Sequence, residues 1–276
     1  MEKIGMIGVG AMGSILLEHL RRAGASVSAY DCAPAALERA ARLEAHTAAS
    51  SRAVAEATTL IDVVVRTDAD VLDCVTGKDG VLEGARRGAL ILLHSTIHPR
   101  TTKMVAEAAR AKGVDVVDAC MLGSPRIARS GNITFLVGGR GDLVERAKPH
   151  LLRMGKEVIH TGPLTTGNVA KVVKNLVTGS ETLVLYEAAR LAQAGGVDYR
   201  DALEILRKTY TGTVLDRWRD VFDPTRSDPM PPAGQNVFQK DIPLAATLAR
   251  EYSLSLGITE QLAATGLRIV EAQRKK

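Results

Sequence analysis

The chain has 276 residues, 46% hydrophobic and 24% charged, a balance that excludes a disordered chain and supplies apolar side chains for a sizeable core. Its net charge of +5 is spread among acids, with the terminal Arg274-Lys275-Lys276 as the basic run, and aromatics make up only 3%, so no nucleic-acid partner is expected. No stretch of about 18 uncharged apolar residues offers a membrane span. The N-terminus enters an apolar strand without the pattern of a leader, and Cys32, Cys74 and Cys120 lack metal-ligand spacing; a cytoplasmic chain with reduced thiols, no metal and no membrane contact is expected.

The segment Lys3 to Asp31, "KIGMIGVGAMGSILLEHLRRAGASVSAYD", opens with a short apolar strand, turns through glycines, and enters a helix with Ile15, Leu16, Leu17 and Leu20 on one face. Gly24 ends that helix, and Ser26 to Tyr30 reads as a second strand closed by Asp31. Gly8, Gly10 and Gly13 therefore stand between strand and helix, which is where a dinucleotide needs them. Gly8 permits the tight turn, Gly10 lets backbone approach a pyrophosphate, and Gly13 lets helix and strand pack closely, with Ala11 and Met12 on the same loop. The free N–H groups and dipole of the helix start favour phosphate charge. A carboxylate at Asp31 accepts from the adenosine ribose hydroxyls and repels a 2′-phosphate. No Arg or Lys follows from Cys32 through Glu38 to offset it, so NAD is expected rather than NADP.

Strands and helices go on alternating. Leu60–Val65, Leu90–Leu93 and Val114–Val117 read as buried parallel strands. Ile133–Val137 and Val158–Ile159 read as further strands. Helices are expected near 35–43, 68–75, 99–111 and 143–154. The result is an α/β fold with a Rossmann-like doubly wound sheet over residues 1–163, whose ligand crevice lies at the carboxyl ends of its strands. There the sequence places Arg66-Thr67-Asp68, His94-Ser95-Thr96 and the stretch from Asp118 onward.

After Gly162-Pro163 the strand pattern stops, and residues 164–276 read as an all-α domain entered through one long helix from about Thr166 to Ala194. Val169, Val172, Val173, Leu176, Val177, Leu183 and Val184 are expected to face inward on it. Further helices are expected near 198–208, 211–221, 236–256 and 259–273, around a proline-rich loop at 222–234. The long helix begins "GNVAKVVKN", which sets Lys171 and Asn175 four residues apart on one face, with Lys174 as the rival ammonium.

Four motifs in this order, "GMIGVGAMG", "HSTIHP", "GNVAKVVKN" and "KDIPLA", make the chain resemble the β-hydroxyacid dehydrogenases, the family of 3-hydroxyisobutyrate dehydrogenase and tartronate semialdehyde reductase, related to 6-phosphogluconate dehydrogenase. The resemblance covers nearly the whole chain. It implies an NAD-dependent oxidoreductase that moves a hydride between NAD and a small 3-hydroxy acid or its semialdehyde. It further implies Lys171 as the proton-transfer residue and Asn175 as its partner or the substrate's. Thr67, Ser95, Thr96 and Lys240 would serve on the cofactor side, and the assembly would be a homodimer or homotetramer. Leu122, Gly123 and Ser124 would face an anionic small-molecule substrate.

The sequence departs from the family at that last loop. "DACMLGS", Asp118 to Ser124, stands where relatives read D-A-P-V-S-G-G, so Leu122 replaces a serine that helps hold a carboxylate. Backbone N–H groups of Gly123 and Ser124, the Ser124 hydroxyl or the Arg126 guanidinium are left to bind the anion. Thr165 also replaces a glycine before the long helix, and "RTD" at 66–68 replaces an apolar pair and a proline. Two other readings compete with the dehydrogenase. An imine or ketone reductase on the same scaffold is opposed by Asp31 and Lys171, because such relatives favour NADP and replace the lysine. A non-catalytic NAD sensor has no use for Lys171, Asn175 and Lys240 together.

Overall fold

The computed structural model describes residues 3–209 and 237–274, so the helix expected at 211–221 and the loop at 222–234 lie outside the described residues. The chain divides into two compact units, Met1–Asn175 and Leu176–Lys276.

The first unit is built on an eight-stranded sheet of order β3-β2-β1-β4-β5-β6-β7-β8. Its strands are β1 (Ile4–Ile7), β2 (Val27–Tyr30), β3 (His46–Thr47), β4 (Leu60–Val63), β5 (Leu90–Leu93), β6 (Asp115–Leu122), β7 (Thr134–Gly138) and β8 (Glu157–Gly162). From β3 to β6 every pairing is parallel, with Ile7 beside both Tyr30 and Val63, and Leu93 beside Asp118. Then β6 runs antiparallel to β7, and β7 parallel to β8. The sheet is thus mostly parallel, and the strand order reverses between β1 and β4, where such folds bind ligands.

Helices cover both faces: α1 (Ala11–Arg22), α2 (Pro34–Arg42), α3 (Ser51–Ala57), α4 (Asp68–Thr76), α5 (Val81–Gly84), α6 (Pro99–Ala111), α7 (Pro125–Arg129) and α8 (Gly141–Leu151). Because successive strand side chains point to opposite faces, β5 sends Leu90 and Leu92 into a core beneath α1, α2 and α8, and Ile91 and Leu93 into a second core beneath α3, α4 and α6. The short elements β3, α3, α5 and α7 went unread in the sequence, having too few residues to establish a period. Strand β4 breaks the apolar rule at its centre. Asp62, in the middle of β4, is fully buried on the α8 side, where it meets His94 and His150.

The glycine turn follows from close contacts. Gly8 has φ +90°, and a Cβ there would lie 2.3 Å from the Val64 carbonyl; a Cβ on Gly13 would lie 2.0 Å from the Gly8 carbonyl. Both contacts are far inside van der Waals range, so helix α1 can leave β1 this tightly only with glycine at those points.

The helix α9 (Thr166–Ala194) is 29 residues long and crosses from the first unit into the second. The second unit continues with α10 (Tyr199–Thr209), a π-helical turn Val237–Asp241, and helices Ile242–Glu251 and Gly257–Arg274. Within it Glu187 of α9 accepts from the N–H groups of Ile258 and Thr259, at 2.9 and 2.7 Å, and from the Thr259 hydroxyl, capping the start of the last helix. The expected inward packing of the α9 valines is corrected here. Val169, Val172, Val173, Leu176 and Val177 are all exposed, Leu176 to 68%. The apolar spacing set the helix but not the partner of its apolar face.

Replacing Gly13 by alanine is expected to cost about 1–3 kcal/mol, because backbone must move to admit the methyl group. A clear drop in Tm for Gly13→Ala, against little change for alanine at Gly10, where no atom lies within 4 Å of an added Cβ, checks this.

Candidate active site

The carboxyl ends of β1, β2, β4, β5 and β6 share one edge of the sheet, and most of the first unit's candidate residues lie along it. Gly10 is the N-cap of α1 without a side-chain cap, and no acid occupies that helix's first turn. Open space surrounds the position of its missing Cβ. Nothing in the protein therefore requires glycine there. The open cradle and the uncapped N–H groups of Ala11, Met12 and Gly13 fit a pyrophosphate.

Asp31 ends β2 and accepts from the Val9 N–H at 2.7 Å and the Ala33 N–H at 2.9 Å. The carboxylate thus ties the glycine turn to the second strand and holds a fixed negative charge beside it. Arg39, one residue past the stretch judged free of cations, reaches the Val9 carbonyl at 3.3 Å. A guanidinium on the same loop was missed because α2 folds back over the turn.

Several candidate side chains are engaged by the protein itself. Thr67 caps α4 in a reciprocal box with Asp70, its hydroxyl accepting from the Asp70 N–H at 3.1 Å. Ser95 is buried, and its hydroxyl donates to the Val65 carbonyl at 2.7 Å, joining the ends of β4 and β5; Thr96 beside it is exposed. Asp68 binds the His98 N–H and the Thr101 hydroxyl, fastening α4 to the start of α6. Gly123 has φ +146°, and Ser124 caps the short α7 through a long 3.5 Å contact from the Ile127 N–H, which leaves its own O–H to donate elsewhere. Leu122 is half-buried at the end of β6, whereas Arg126 is exposed.

The start of α9 is held from below. Asp118 on β6 accepts from the Thr165 N–H and the Asn168 N–H, each at 2.7 Å, with the Gly167 N–H also directed at it. A carboxylate from a strand thereby caps a helix that begins almost 50 residues later. Gly167 makes room: a Cβ there would lie 2.6 Å from the Leu136 carbonyl and 2.7 Å from Asp118 Oδ2. Thr165 carries φ +87°, a conformation that a β-branched residue adopts only under constraint, and its N–H is one of those Asp118 grips. Burial raises Asp118 above the usual carboxylate range, against the pull of its backbone donors.

Asn168 is a residue of this helix start to which the sequence motifs assign no role. It is fully buried, takes the Thr102 hydroxyl at 2.7 Å on its Oδ1, and donates from Nδ2 to the Ser95 carbonyl and to Cys120 Sγ, both at 3.3 Å. Its spacing from Lys171 and Asn175, at i, i+3 and i+7, is the signal that could have found it. Lys171, one turn on, is half-buried and donates from Nζ to the Met121 carbonyl at 2.6 Å, which puts the amine beside the Leu122 loop. Burial first, and then the like charge of Lys174, hold the Lys171 amine below the ordinary lysine range; the neighbouring Cys120 opposes this in part. Asn175 stands exposed one further turn along, and Lys240 is exposed on the π-helical turn of the second unit.

His94 is no ligand-facing residue. Its Nδ1 donates to the Ala119 carbonyl and its Nε2 lies 2.8 Å from Asp62 Oδ1, so the ring is a buried strut between β4, β5 and β6. Among the described residues no group of three His, Cys, Asp or Glu side chains is placed to hold a metal, and no helix is long and apolar enough to cross a membrane.

Comparison with known proteins agrees with this layout. Residues 3–162 match the NAD-binding domain of 6-phosphogluconate dehydrogenase, and residues 165–276 match the NAD-binding domain described for NADP-dependent 3-hydroxyisobutyrate dehydrogenase. An NAD-dependent L-serine dehydrogenase of Pseudomonas aeruginosa is 29% identical over 256 residues, covering 91% of this chain and 86% of that protein. A 3-hydroxyisobutyrate dehydrogenase of the same organism is 32% identical over 212 residues, covering 77% and 71%. Among solved structures, an imine reductase from Myxococcus stipitatus in complex with NADP+ superposes with a TM-score of 0.86 over 98% of this chain and 94% of that one; at 20% identity the likeness is one of fold.

The cap on α9 yields a test. In Asp118→Asn one carboxylate oxygen becomes an amide donor facing a backbone donor, with an expected cost of about 1–3 kcal/mol in stability. If Asp118 positions the helix, the variant also loses turnover while dinucleotide affinity, measured by fluorescence titration, stays near wild type. Unchanged turnover at reduced stability would confine Asp118 to the fold.

Proposed function

The chain belongs to the β-hydroxyacid dehydrogenase family of NAD-dependent oxidoreductases, and we propose that it oxidises a small 3-hydroxy acid, or reduces the matching semialdehyde, with Lys171 as the proton-transfer residue. The observation that carries this reading is the Lys171 amine, half-buried and held by the Met121 carbonyl beside the Leu122–Ser124 loop. NAD supplies the hydride acceptor when bound at the glycine turn. The chain's own residues do the rest. Uncapped N–H groups at the start of α1 bind the pyrophosphate, and Asp31 favours ribose hydroxyls over a 2′-phosphate.

A lysine ordinarily stays protonated at neutral pH and can only donate. Depressed by burial and by Lys174, Lys171 reaches its neutral form at lower pH and can take the hydroxyl proton as the carbinol carbon loses hydride. In the opposite direction the ammonium returns that proton to the developing alkoxide. Asp118 and Asn168 fix the helix turn from which the amine projects, and Asn175 on the same face orients the substrate. The substrate carboxylate is assigned to the backbone N–H groups of Gly123 and Ser124, the Ser124 hydroxyl and Arg126, since Leu122 has no donor. Two relatives named for L-serine and 3-hydroxyisobutyrate support this class, both compounds being 3-hydroxy carboxylates.

The assembly is proposed to be a homodimer or homotetramer. Its support is the exposed row Val169, Val172, Val173, Leu176 and Val177 on α9, an apolar face of the kind that proteins bury against a partner. Three free cysteines support a reducing, cytoplasmic setting.

The direct test is NADH appearance with NAD and a panel of 3-hydroxy carboxylates, with NADP run alongside because Arg39 approaches the same loop as Asp31. Lys171→Met is expected to lower kcat by about 10²- to 10⁴-fold. In the wild type, oxidation should rise with pH through a value below that of ordinary lysine, and reduction should fall over the same range. Full activity in Lys171→Met would sink the assignment. A separate check is Leu176→Glu, expected to shift the wild-type oligomer toward monomer in light scattering. A wild type that is already monomeric would end the oligomer reading.

A further inference from the structure

Several elements of the first unit meet at Asn168, beneath the Lys171 turn. The residue is fully buried, as are Thr102 on α6 and Cys120 on β6. Its neighbours fix the orientation of its amide. The Ser95 carbonyl can only accept, so the group 3.3 Å from it is Nδ2, and Oδ1 then takes the Thr102 hydroxyl at 2.7 Å. Nδ2 also meets Cys120 Sγ at 3.3 Å, while the Cys120 thiol lies 3.5 Å from the same Ser95 carbonyl. Both ends of the amide are thus engaged by the protein.

Helix α9 and strand β6 are held in register at successive points. Asn168 binds Asp118 through its N–H and Cys120 through Nδ2, and Lys171, about one turn later, donates to the Met121 carbonyl. A second line of contacts runs to the loops after β4 and β5. Ser95 accepts from Asn168 at its carbonyl and donates its hydroxyl to Val65, just past the end of β4. Thr101, next to Thr102, donates its hydroxyl to Asp68 at the start of α4. A helix start already capped by Asp118 does not need the Asn168 side chain. An apolar residue would fill the place without the cost of burying a polar group. What the amide adds is a directional link between the Lys171 turn and the end of β5.

We propose that Asn168 is a positioning residue for proton transfer, its amide holding the Lys171 amine in register with the Ser95–Thr96 segment assigned to the cofactor side. The inference rests on the reading of Lys171 as the proton-transfer residue. Fully buried, Asn168 acts through Lys171 and Ser95 rather than on the substrate. Without the amide, the Ser95 carbonyl, the Thr102 hydroxyl and the Cys120 thiol each lose a partner, and water enters beneath the turn. The amine then loses alignment and gains solvent. Burial is the main cause that holds Lys171 below the ordinary lysine range, so the added water returns it upward.

The test compares Asn168→Ala with wild type in the full-length protein, using the most active member of the 3-hydroxy carboxylate panel. A fall in kcat of about 10- to 100-fold is expected, with KM and the NAD dissociation constant within about twofold, since alignment is lost and binding is not. Labelling of Lys171 by acetic anhydride across a pH series, read by peptide mass spectrometry on NAD-saturated protein, follows the amine without turnover. Its midpoint should rise toward that of ordinary lysine in Asn168→Ala. Val144→Ala, a buried change on α8, serves as a control for lost stability and should leave kcat and midpoint in place. If Asn168→Ala fails to fold, Thr102→Val decides: it removes the hydroxyl that Oδ1 takes, and should move both readouts the same way by a smaller amount. A wild-type kcat or an unmoved midpoint in the deciding variant overturns the proposal, as does a fall in kcat that Val144→Ala reproduces. An inactive Lys171→Met beside an unaffected Asn168→Ala removes this inference alone, whereas a fully active Lys171→Met removes the reading beneath it.

Discussion

The grip of Asp118 on the first turn of α9 is the constraint from which the rest of the site follows. A helix start presents N–H groups that its own backbone cannot satisfy, and a buried one must find acceptors elsewhere. Here they come from a strand, so the helix is pinned to the sheet at the point where the last strand gives way to the long helix. The left-handed Thr165, the close approach at Gly167 and the buried amide of Asn168 make sense only around that carboxylate. Lys171 inherits its position from them, one turn later, and its depressed basicity from the burial that the position imposes. Glu187 repeats the device in the second unit, where it caps the final helix.

A second buried carboxylate organises the sheet in a different way. Asp62 occupies a strand position that the apolar pattern would give to valine or leucine, and it is tolerable there because both oxygens meet imidazoles. The pair of rings spans from the helix α8 to the end of β5. The carboxyl end of β5 and the helix α8 are thus joined by polar contacts through an otherwise apolar core.

Much of the site was legible in the residues, though several side chains are used otherwise than the motifs suggest. The glycine turn, Asp31 and the Lys171 helix stand where the spacing put them, since turn sterics and helical period are local properties. Ser95 and Thr67 lie on the expected edge, but their hydroxyls bind the protein's own carbonyl and N–H groups. His94 stands at the strand end as its place in the sequence indicates, but its ring is a buried strut rather than a group facing a ligand. Asn168, Asp62 and His150 went unnoticed because their partners lie between 32 and 88 positions away in sequence, as the Asp62–His94 and Asp62–His150 contacts illustrate. Arg39 was missed for the same reason on a smaller scale.

The sequence by itself determined the order of the longer elements, the glycine turn, the negative charge at the end of the second strand and the face shared by Lys171 and Asn175. Each of these depends on sterics or periodicity within about one element's length. Only the tertiary structure decided that β6 and β7 run antiparallel, that Asp118 caps α9, that Asp62 lies between two histidines, and that the valines of α9 stay exposed. Those outcomes depend on which surfaces meet after the chain has closed. The apolar period of α9 states that one face of the helix seeks burial, whereas the identity of what buries it is a property of the packed surfaces around it.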